Sequence, residues 1–297
     1  MMASRSFSLR TMENNYLNDS RIGRLIEQSL FEDVGFGDIT SESLISEDQL
    51  GKAEFIVKEN GIISGIDIVT LVFSCVDGQV TFEPNMRDGA LVEKGVSIGT
   101  IDGPVRSLLT GERVALNFLQ RMSGIATLTH KYVHAVAGTN AKITDTRKTV
   151  PGLRVLDKKA VLDGGGINHR FALDSMVLIK DNHIAAAGGI KNAILRCKEY
   201  LKENFSEMKI EVETTSLEQV KEVLQIGGID RIMLDNYSLD LMKEAVSMIN
   251  GAFEVEASGG VTLQTVRSIA ETGVDIISVG ALTHSPKALD ISLEYLP

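Results

Sequence analysis

From about residue 140 onward, short runs of apolar and β-branched residues alternate with longer segments whose apolar residues recur at helical spacing. The alternation repeats at intervals of roughly 20 to 35 residues, as expected for units of one β-strand and one α-helix. Several of the longer segments begin with Ser or Thr, which can cap a helix, and end before Gly. This pattern predicts parallel strands at AKITDTR (141–147), MVLIKD (176–181), KIEVETT (209–215), RIMLDN (231–236), FEVEAS (253–258) and DIISVGAL (275–282).

The fold class follows from these units and from a different pattern before them. A complete barrel of this type has about eight strands, so the strands found predict an open or incomplete α/β (TIM-like) barrel. Before residue 107, the polar and apolar residues alternate between Asn-Gly and Asp-Gly turns, which predicts an antiparallel sheet. Residues 107–136 have helical apolar spacing and predict one or two long helices that link the two regions.

Composition narrows the class of protein. The chain has 297 residues, 43% of them hydrophobic, and a net charge of −10, which argues against nucleic-acid binding. Apolar runs stay well short of the roughly 20 residues that a membrane-spanning helix needs, so we expect no membrane segment. The two cysteines, Cys75 and Cys197, favour a reducing compartment, and we expect a cytoplasmic protein in which both are buried.

Polar residues end most of the predicted barrel strands. They are Arg147, Lys180, Glu213, Asp235 and Ser258. Barrel enzymes carry their reactive groups at the carboxyl ends of the strands, so these residues are candidates for an active site.

Cations are dense between residues 145 and 184. The segment holds Arg147, Lys148, Arg154, His169, Arg170 and Lys180. Arg pairs with both oxygens of a carboxylate and Lys suits phosphate, so the set predicts a small substrate with several negative charges. Taken singly, Arg154, Lys158 and Lys159 are expected to be solvated loop charges. His169 and His183 are expected to make hydrogen bonds rather than bind a metal.

A series of long motifs carries a family resemblance. TRKTVPGLR, GGGINHR and LIKDNHI are followed by EVETTS, LDN, EASGGV and SVGALTHSPKALDISL, and FEDVGFGDIT stands near the start. In this order they resemble the signature of the quinolinate phosphoribosyltransferase family. The resemblance implies an N-terminal α/β sandwich with an antiparallel sheet, formed by 21–130 and 286–297, and a barrel domain at 131–285. Residues 1–20 are expected to be a flexible extension, although 1–12 also fit a targeting segment.

The resemblance also implies an activity. The family converts quinolinate, a pyridine 2,3-dicarboxylate, and phosphoribosyl pyrophosphate into nicotinate mononucleotide, pyrophosphate and carbon dioxide, with Mg²⁺, in NAD biosynthesis. It implies a homo-oligomer, a dimer or a hexamer of dimers, in which Arg113 enters the neighbouring site.

The resemblance assigns roles residue by residue. For quinolinate it implies Arg113, Arg147, His169, Arg170 and Lys180. For phosphoribosyl pyrophosphate it implies Lys148, Glu213, Asp235, Ser258, Gly259, Gly260, Gly280 and His284, of which His284 equally fits a surface turn. Glu213 and Asp235 would hold the metal, directly or through water and ribose, and the catalytic set would be Lys148, Lys180, Glu213 and Asp235.

Three alternatives stay open on the sequence. One is a phosphoribosyltransferase for nicotinate or another carboxylated heterocycle, which needs fewer cations. The second is a Schiff-base aldolase with Lys180 as the nucleophile. The third is a barrel that binds anions without turnover, which the carboxylates Glu213 and Asp235 disfavour.

Overall fold

The computed structural model describes residues 16–205 and 207–296. Its helices after a short 3₁₀ turn at Tyr16–Asn18 are α1 (Ser20–Val34), α2 (Ile39–Leu44), α3 (Ile66–Val76), α4 (Val105–Ala135), α5 (Arg154–Asp163), α6 (Asp181–Ala187), α7 (Ile190–Asn204), α8 (Leu217–Ile226), α9 (Leu239–Ile249), α10 (Val266–Ala270) and α11 (Ala281–His284). Its strands are β1 (Leu50–Val57), β2 (Gly61–Ile62), β3 (Thr81–Pro84), β4 (Leu91–Val92), β5 (Ser97–Pro104), β6 (Lys142–Thr144), β7 (Val177–Ile179), β8 (Ile210–Thr214), β9 (Arg231–Asp235), β10 (Glu254–Ser258), β11 (Ile276–Ser278) and β12 (Ile291–Tyr295).

The chain divides into two compact units. The first comprises 1–130, 149–165 and 281–297, and the second comprises 131–148 and 166–280. Segment 149–165 therefore groups with the first unit, although it lies inside the range predicted for the barrel. Of the predicted N-terminal extension, residues 1–15 lie outside the described residues, whereas 16–20 form the 3₁₀ turn and the start of α1, with Asp19 as its N-cap.

The first unit contains a four-stranded antiparallel sheet in the order β12-β1-β5-β3. Strand β12, near the C-terminus, pairs with β1, with Phe55 opposite Leu293. Phe55 is fully buried and meets Phe82 edge to face at 5.5 Å between ring centroids. A Cβ on Gly99, opposite Phe55, would lie 2.6 Å from the Phe82 ring, so this position has no room for a side chain. The predicted antiparallel sheet and its completion by the C-terminal tail are confirmed.

The second unit contains the six parallel strands predicted from the sequence, in the order β6-β11-β10-β9-β8-β7. Strand β8 is buried at every residue. Ser216 and Ser238 accept hydrogen bonds from the first turns of α8 and α9, as their positions predicted. The fold class, an antiparallel α/β region followed by an open parallel α/β unit, is confirmed.

Several expectations about single residues are wrong. Residues 154–163 form helix α5 rather than a loop, and Lys158 on it is fully buried. Lys159 Nζ is also only partly exposed, because it lies 2.5 Å from Asp163 Oδ1 and 3.2 Å from Asp88 Oδ2. Cys75 is exposed on α3, because its side chain faces away from the buried stripe of that helix.

Residues 107–136 form one helix, α4, which begins at Val105. Across the described parts of the chain, no helix combines the length and the apolar character needed to cross a membrane.

Candidate active site

The carboxyl edge of the parallel sheet brings together polar residues from four neighbouring strands. Glu213 lies near the end of β8, Asp235 and Ser258 end β9 and β10, and Lys180 directly follows β7. Asp235 and Ser258 are paired in register. We call Lys180, Glu213, Asp235 and Ser258 the edge cluster. Its four residues lie at the carboxyl ends of the strands, where barrel enzymes carry their reactive groups.

Lys180 and Glu213 form an ion pair within this cluster, with 2.5 Å between Lys180 Nζ and Glu213 Oε2. The Lys180 side chain is 43% exposed, so a ligand in solvent can reach its ammonium. Its backbone N–H donates to His183 Nδ1 at 3.0 Å, at the start of α6. His183 is thus a helix-capping acceptor, which agrees with a hydrogen-bonding rather than a metal-binding role.

The loops after β9 and β10 interlock beside Asp235. Asn236 has a positive φ of 58°, and its N–H donates to Ser258 O at 2.9 Å. Asn236 Nδ2 donates to Asp235 Oδ2 at 2.8 Å, which holds that carboxylate in place. Gly259 has a φ of 94°, and a Cβ there would lie 2.2 Å from Asn236 Oδ1. Only glycine fits this turn, which presents the backbone of Ser258–Gly260 at the carboxyl edge.

His169 and Arg170 reach the sheet on a segment that runs beside β6. Ile167 forms a parallel bridge with Thr144, and the His169 N–H donates to the buried Asp145 carboxylate at 3.0 Å. Arg170 Nη1 donates to Met176 O at 3.0 Å. Burial lowers the pKa of Arg170, and the nearby charge of Arg147 lowers it further. The charge of Arg147 thus acts on Arg170, which makes the pair a candidate for one anionic ligand.

Below the carboxyl edge lies a second group of charges, which the sequence analysis missed. We call His169, Glu211, Arg231 and Glu256 the buried cluster; Glu211 and Glu256 have no exposed surface. His169 Nε2 lies 3.0 Å from Glu211 Oε2 and 3.3 Å from Glu256 Oε2. Arg231 Nη1 lies 2.7 Å from Glu256 Oε2 and 3.8 Å from Glu211 Oε2. The signal was present, because Glu211 and Glu213 alternate along β8, as Glu256 and Ser258 do along β10.

The electrostatics of the buried cluster follow from its burial. Burial raises the pKa of Glu211, and the charge of Glu256 raises it further. Burial alone would raise the pKa of Glu256 too, but its contacts with His169 and Arg231 lower it. Burial by itself lowers the pKa of His169, yet its contacts with Glu211 and Glu256 outweigh this effect and raise the pKa to about 9.

The geometry of the ring decides where its proton sits. A pKa near 9 favours a ring protonated on both nitrogens at neutral pH, but the Arg170 N–H donates to His169 Nδ1 at 2.8 Å. A proton on Nδ1 would set two donors against each other, so we assign the ring proton to Nε2, which faces the carboxylates. If the second proton lies on Glu211 and not on His169 Nδ1, the net charge of the cluster is the same. This placement agrees with the raised pKa of Glu211.

The buried cluster also has the donor spacing of a metal site. Ligand atoms of His169, Glu211 and Glu256 all lie within 4.8 Å of one another. The Arg231 guanidinium already contacts Glu256 at 2.7 Å, and it supplies the positive charge that a cation would otherwise bring. The arrangement is that of an internally balanced ion network.

The remaining predicted residues are placed as follows. Arg147 and Lys148 follow β6, where the Lys148 N–H donates to Thr146 Oγ1 at 3.0 Å. Gly280 ends the second unit. Arg113, exposed on α4, and His284, at the end of α11, belong to the first unit. His284 Nδ1 lies 2.5 Å from Ser285 Oγ.

Comparisons with known proteins agree with this geometry. The family model of the C-terminal domain of quinolinate phosphoribosyl transferase matches residues 125–294, and that of the N-terminal domain matches 38–123. The chain is 50% identical over 285 residues to nicotinate-nucleotide pyrophosphorylase [carboxylating], chloroplastic, of Arabidopsis thaliana, covering 91% of this chain and 81% of that protein. It is 43% identical to the probable nicotinate-nucleotide pyrophosphorylase [carboxylating] of Bacillus subtilis, covering 94% of each.

Solved structures give the same result. The crystal structure of NadC from Streptococcus pyogenes matches with a TM-score of 0.88 and 40% identity, over 93% of this chain and 98% of that one. The nicotinate-nucleotide pyrophosphorylase of Francisella tularensis matches with a TM-score of 0.88 and 39% identity, over 93% and 96% of the two chains. The family matches, the relatives and the shared architecture lead to one conclusion: this chain belongs to the quinolinate phosphoribosyltransferase family.

Proposed function

We propose that this chain is a decarboxylating quinolinate phosphoribosyltransferase of NAD biosynthesis. It joins quinolinate to the phosphoribosyl group of phosphoribosyl pyrophosphate and releases nicotinate mononucleotide, pyrophosphate and carbon dioxide. The relatives that support this include quinolinate phosphoribosyltransferase [decarboxylating] 1b of Nicotiana tabacum, 48% identical over 91% of this chain. The structural observation that carries the proposal is the edge cluster, in which the exposed Lys180 ammonium stands beside the Glu213 carboxylate at the ends of parallel strands.

The two carboxylates of quinolinate require several convergent cations. The charge of Arg147 lowers the pKa of Arg170, and a bound dianion would offset this repulsion between like charges. At about 4 Å and an effective dielectric near 20, one cation–anion pair is worth about 4 kcal/mol before desolvation is subtracted. Arg147, Arg170 and Lys180 are therefore assigned to the dicarboxylate, with His169 beside them and Arg113 from a partner subunit.

The carboxylates of the edge cluster are assigned to the ribose of phosphoribosyl pyrophosphate. The pyridine nitrogen forms a bond to the anomeric carbon as the bond from that carbon to the pyrophosphate oxygen breaks, and positive charge develops on the ribose. Glu213 and Asp235 stabilise that charge and accept hydrogen bonds from the ribose hydroxyls. Lys148 and Lys180 neutralise the departing pyrophosphate, which takes the bonding electron pair.

The oxygen donors also fit Mg²⁺. Among the described residues, Glu213 and Asp235 are not part of a group of three ligands, so the chain forms no closed metal cage around them. Two carboxylates, with waters and substrate oxygens completing the shell, are the usual protein contribution to a magnesium site. When bound, the ion neutralises pyrophosphate charge. The residues that would hold it are Glu213 and Asp235, directly or through water and ribose.

The loop after β10 suits the 5′-phosphate. The Ser258–Gly260 turn has positive φ at both glycines, 94° and 59°, and leads towards α10. Open backbone of this kind can present N–H groups to an anion. We assign Ser258, Gly259, Gly260, Gly280 and His284 to this phosphate.

Loss of carbon dioxide follows ring attachment. The pyridinium accepts the electron pair of the breaking bond between the ring carbon and the 2-carboxylate, and that carbon then takes a proton. No redox cofactor is needed. The reaction is faster if the departing carboxylate is held less tightly than the retained one, because only binding that favours the transition state lowers the barrier.

The Lys180–Glu213 pair weighs against the aldolase alternative. A Schiff base needs a neutral amine, whereas this ammonium is held by a carboxylate at 2.5 Å. Failure of borohydride to trap substrate on Lys180 would agree with this.

The cytoplasmic location stays a prediction.

The proposed function is tested by incubating the protein with phosphoribosyl pyrophosphate, Mg²⁺ and either quinolinate or nicotinate. We expect nicotinate mononucleotide and carbon dioxide in the incubation with quinolinate, and no product in the incubation with nicotinate. Product from nicotinate but not from quinolinate would contradict the assignment and favour a phosphoribosyltransferase that acts on nicotinate.

The shared site is tested by subunit exchange. Arg113→Ala and Lys180→Ala are each expected to abolish activity, since each damages every site. After mixing and exchange of a homodimer, random pairing restores one intact site in half of the dimers, roughly a quarter of normal activity. Assays before and after exchange measure this, and no recovery despite proven exchange would rule out an Arg113 contribution from the neighbouring subunit.

A further inference from the structure

We propose that Glu211 and Glu256 are positioning residues for substrate binding: they anchor the His169 ring from below, and the ring in turn fixes the main chain of Arg170. The inference rests on the proposed function in one respect, the assignment of Arg170 to quinolinate. It gives a role to Glu211 on β8 and Glu256 on β10, the first residues of the EVETTS and EASGGV motifs, which had none so far.

The contacts form a continuous path from the sheet to Arg170. Glu211 Oε2 and Glu256 Oε2 lie 3.0 Å and 3.3 Å from His169 Nε2. On the other side of the ring, Nδ1 accepts the Arg170 N–H at 2.8 Å. Both ring nitrogens thus have partners, and the ring connects two strands to the backbone of the next residue. Rotation of the ring would break both sets of contacts.

Burial excludes a direct role for the two carboxylates. Neither Glu211 nor Glu256 has exposed surface, so neither reaches a ligand that enters from solvent. Their influence on the reaction passes through His169. For this reason they are positioning residues and not catalytic residues.

The cluster is also not explained by stability alone. Burying carboxylates costs free energy, and well-packed apolar side chains of similar volume in their place are often neutral or stabilising. A parallel strand buried on both faces ordinarily carries apolar residues at such positions. The Arg231 guanidinium, 2.7 Å from Glu256 Oε2, offsets the buried negative charge. What the carboxylates provide that Leu could not is negative charge 3.0 Å and 3.3 Å from His169 Nε2.

Glu254 offers a matched control on the same strand. It contacts the same arginine, with Arg231 Nη2 2.7 Å from Glu254 Oε2, but its side chain is 41% exposed. Among the contacts of the described residues it has none with His169. Glu254→Gln therefore removes one partner of Arg231 and leaves the path to Arg170 intact.

The experiment compares Glu256→Gln, Glu211→Gln and Glu254→Gln in the intact enzyme, with Glu→Gln chosen because it keeps the size of the side chain. We expect Glu256→Gln to raise the KM for quinolinate about tenfold, the effect of one weakened hydrogen bond to a charged group. In Glu256→Gln, the KM for phosphoribosyl pyrophosphate should change less than about twofold. In Glu254→Gln, the KM values for both substrates should change less than about twofold. We expect Glu211→Gln to raise the KM for quinolinate less than Glu256→Gln does, because a protonated Glu211 resembles Gln more closely than the charged Glu256 does. If both KM values rise in parallel with a fall in Tm, or if Glu256→Gln matches Glu254→Gln, the inference is wrong.

A second measurement does not depend on activity. In protein labelled with ¹⁵N-histidine, with the His169 signals identified by their loss in His169→Gln, we expect one protonated and one unprotonated ring nitrogen. A doubly protonated ring in the wild-type protein would overturn the inference. If the wild type makes no nicotinate mononucleotide from quinolinate, the proposed function fails, whereas the ring measurement still decides whether Nδ1 is held by Arg170.

Discussion

Strand β8 carries two glutamates two residues apart, and they differ in almost every physical respect. Glu213 lies at the carboxyl edge and pairs with the 43% exposed Lys180. Glu211 lies one repeat further in, on the same face, where its neighbours are His169 and Glu256. The edge cluster thus holds its buried acid in an ion pair with an exposed lysine, whereas the buried cluster satisfies its charges internally. The difference shows that the same residue type, at adjacent inward positions of one strand, can bind a ligand or fix the groups that bind it.

The largest effect is expected in the edge cluster. Lys180→Ala should lower kcat/KM for quinolinate about a thousandfold, because it removes a charge aimed at the reacting groups. The Tm should fall modestly, because the Glu213 side chain, only 9% exposed, loses its ion-pair partner. Steady-state kinetics and thermal unfolding measure the two quantities.

The control for Lys180 is Lys142→Ala. Lys142 is exposed and begins β6, at the opposite end of the sheet. Its removal should leave kcat/KM unchanged. Equal losses in the two variants would mean that general surface charge, and not the edge cluster, sets the rate.

The buried cluster should show the opposite behaviour, a large loss of stability. Glu256→Ala removes one of the two carboxylates 2.7 Å from Arg231 and opens a buried cavity, and we expect it to lower the free energy of unfolding by about 3 kcal/mol. Glu213→Ala should lower it by only about 1 kcal/mol, because the partner left behind, Lys180, is 43% exposed and stays solvated. Urea unfolding followed by circular dichroism compares them, and similar losses in both variants would remove the distinction between the clusters.

These residues also show how much the sequence could predict. The six parallel strands were predictable because their spacing is periodic, and the edge cluster was predictable because reactive groups follow barrel strands. The pairing of Lys180 with Glu213 was not, since no sequence pattern fixes a distance between two strands. The buried cluster was missed because the strand-end rule considers only one residue per strand, although Glu211 and Glu256 alternate with apolar residues. The burial of Lys158 depends on how α5 packs, and its polar sequence suggested the reverse.

A smaller effect is expected at the turn between the two loops. Gly259→Ala places a Cβ 2.2 Å from Asn236 Oδ1, so we expect the KM for phosphoribosyl pyrophosphate to rise about tenfold as the turn shifts. Gly251→Ala is the matched control, since φ is also positive, at 74°, but nothing lies within 4 Å. It should lower stability by about 1 kcal/mol and leave both KM values unchanged. Steady-state kinetics and unfolding of Gly259→Ala and Gly251→Ala separate the effect of strain in the site from that of strain elsewhere. Equal KM values for phosphoribosyl pyrophosphate in the two variants would contradict a phosphate-binding role for the turn.

The most direct test of the account is a crystal structure of the enzyme with quinolinate bound. It predicts the two carboxylates within about 3 Å of Arg147, Arg170 and Lys180, the usual length of a charge-assisted hydrogen bond. It also predicts Glu211 and Glu256 in contact with the His169 ring and with no contact to quinolinate. Quinolinate bound away from the carboxyl edge of the sheet, or in direct contact with Glu211 or Glu256, would contradict the division between an edge cluster that binds and a buried cluster that positions.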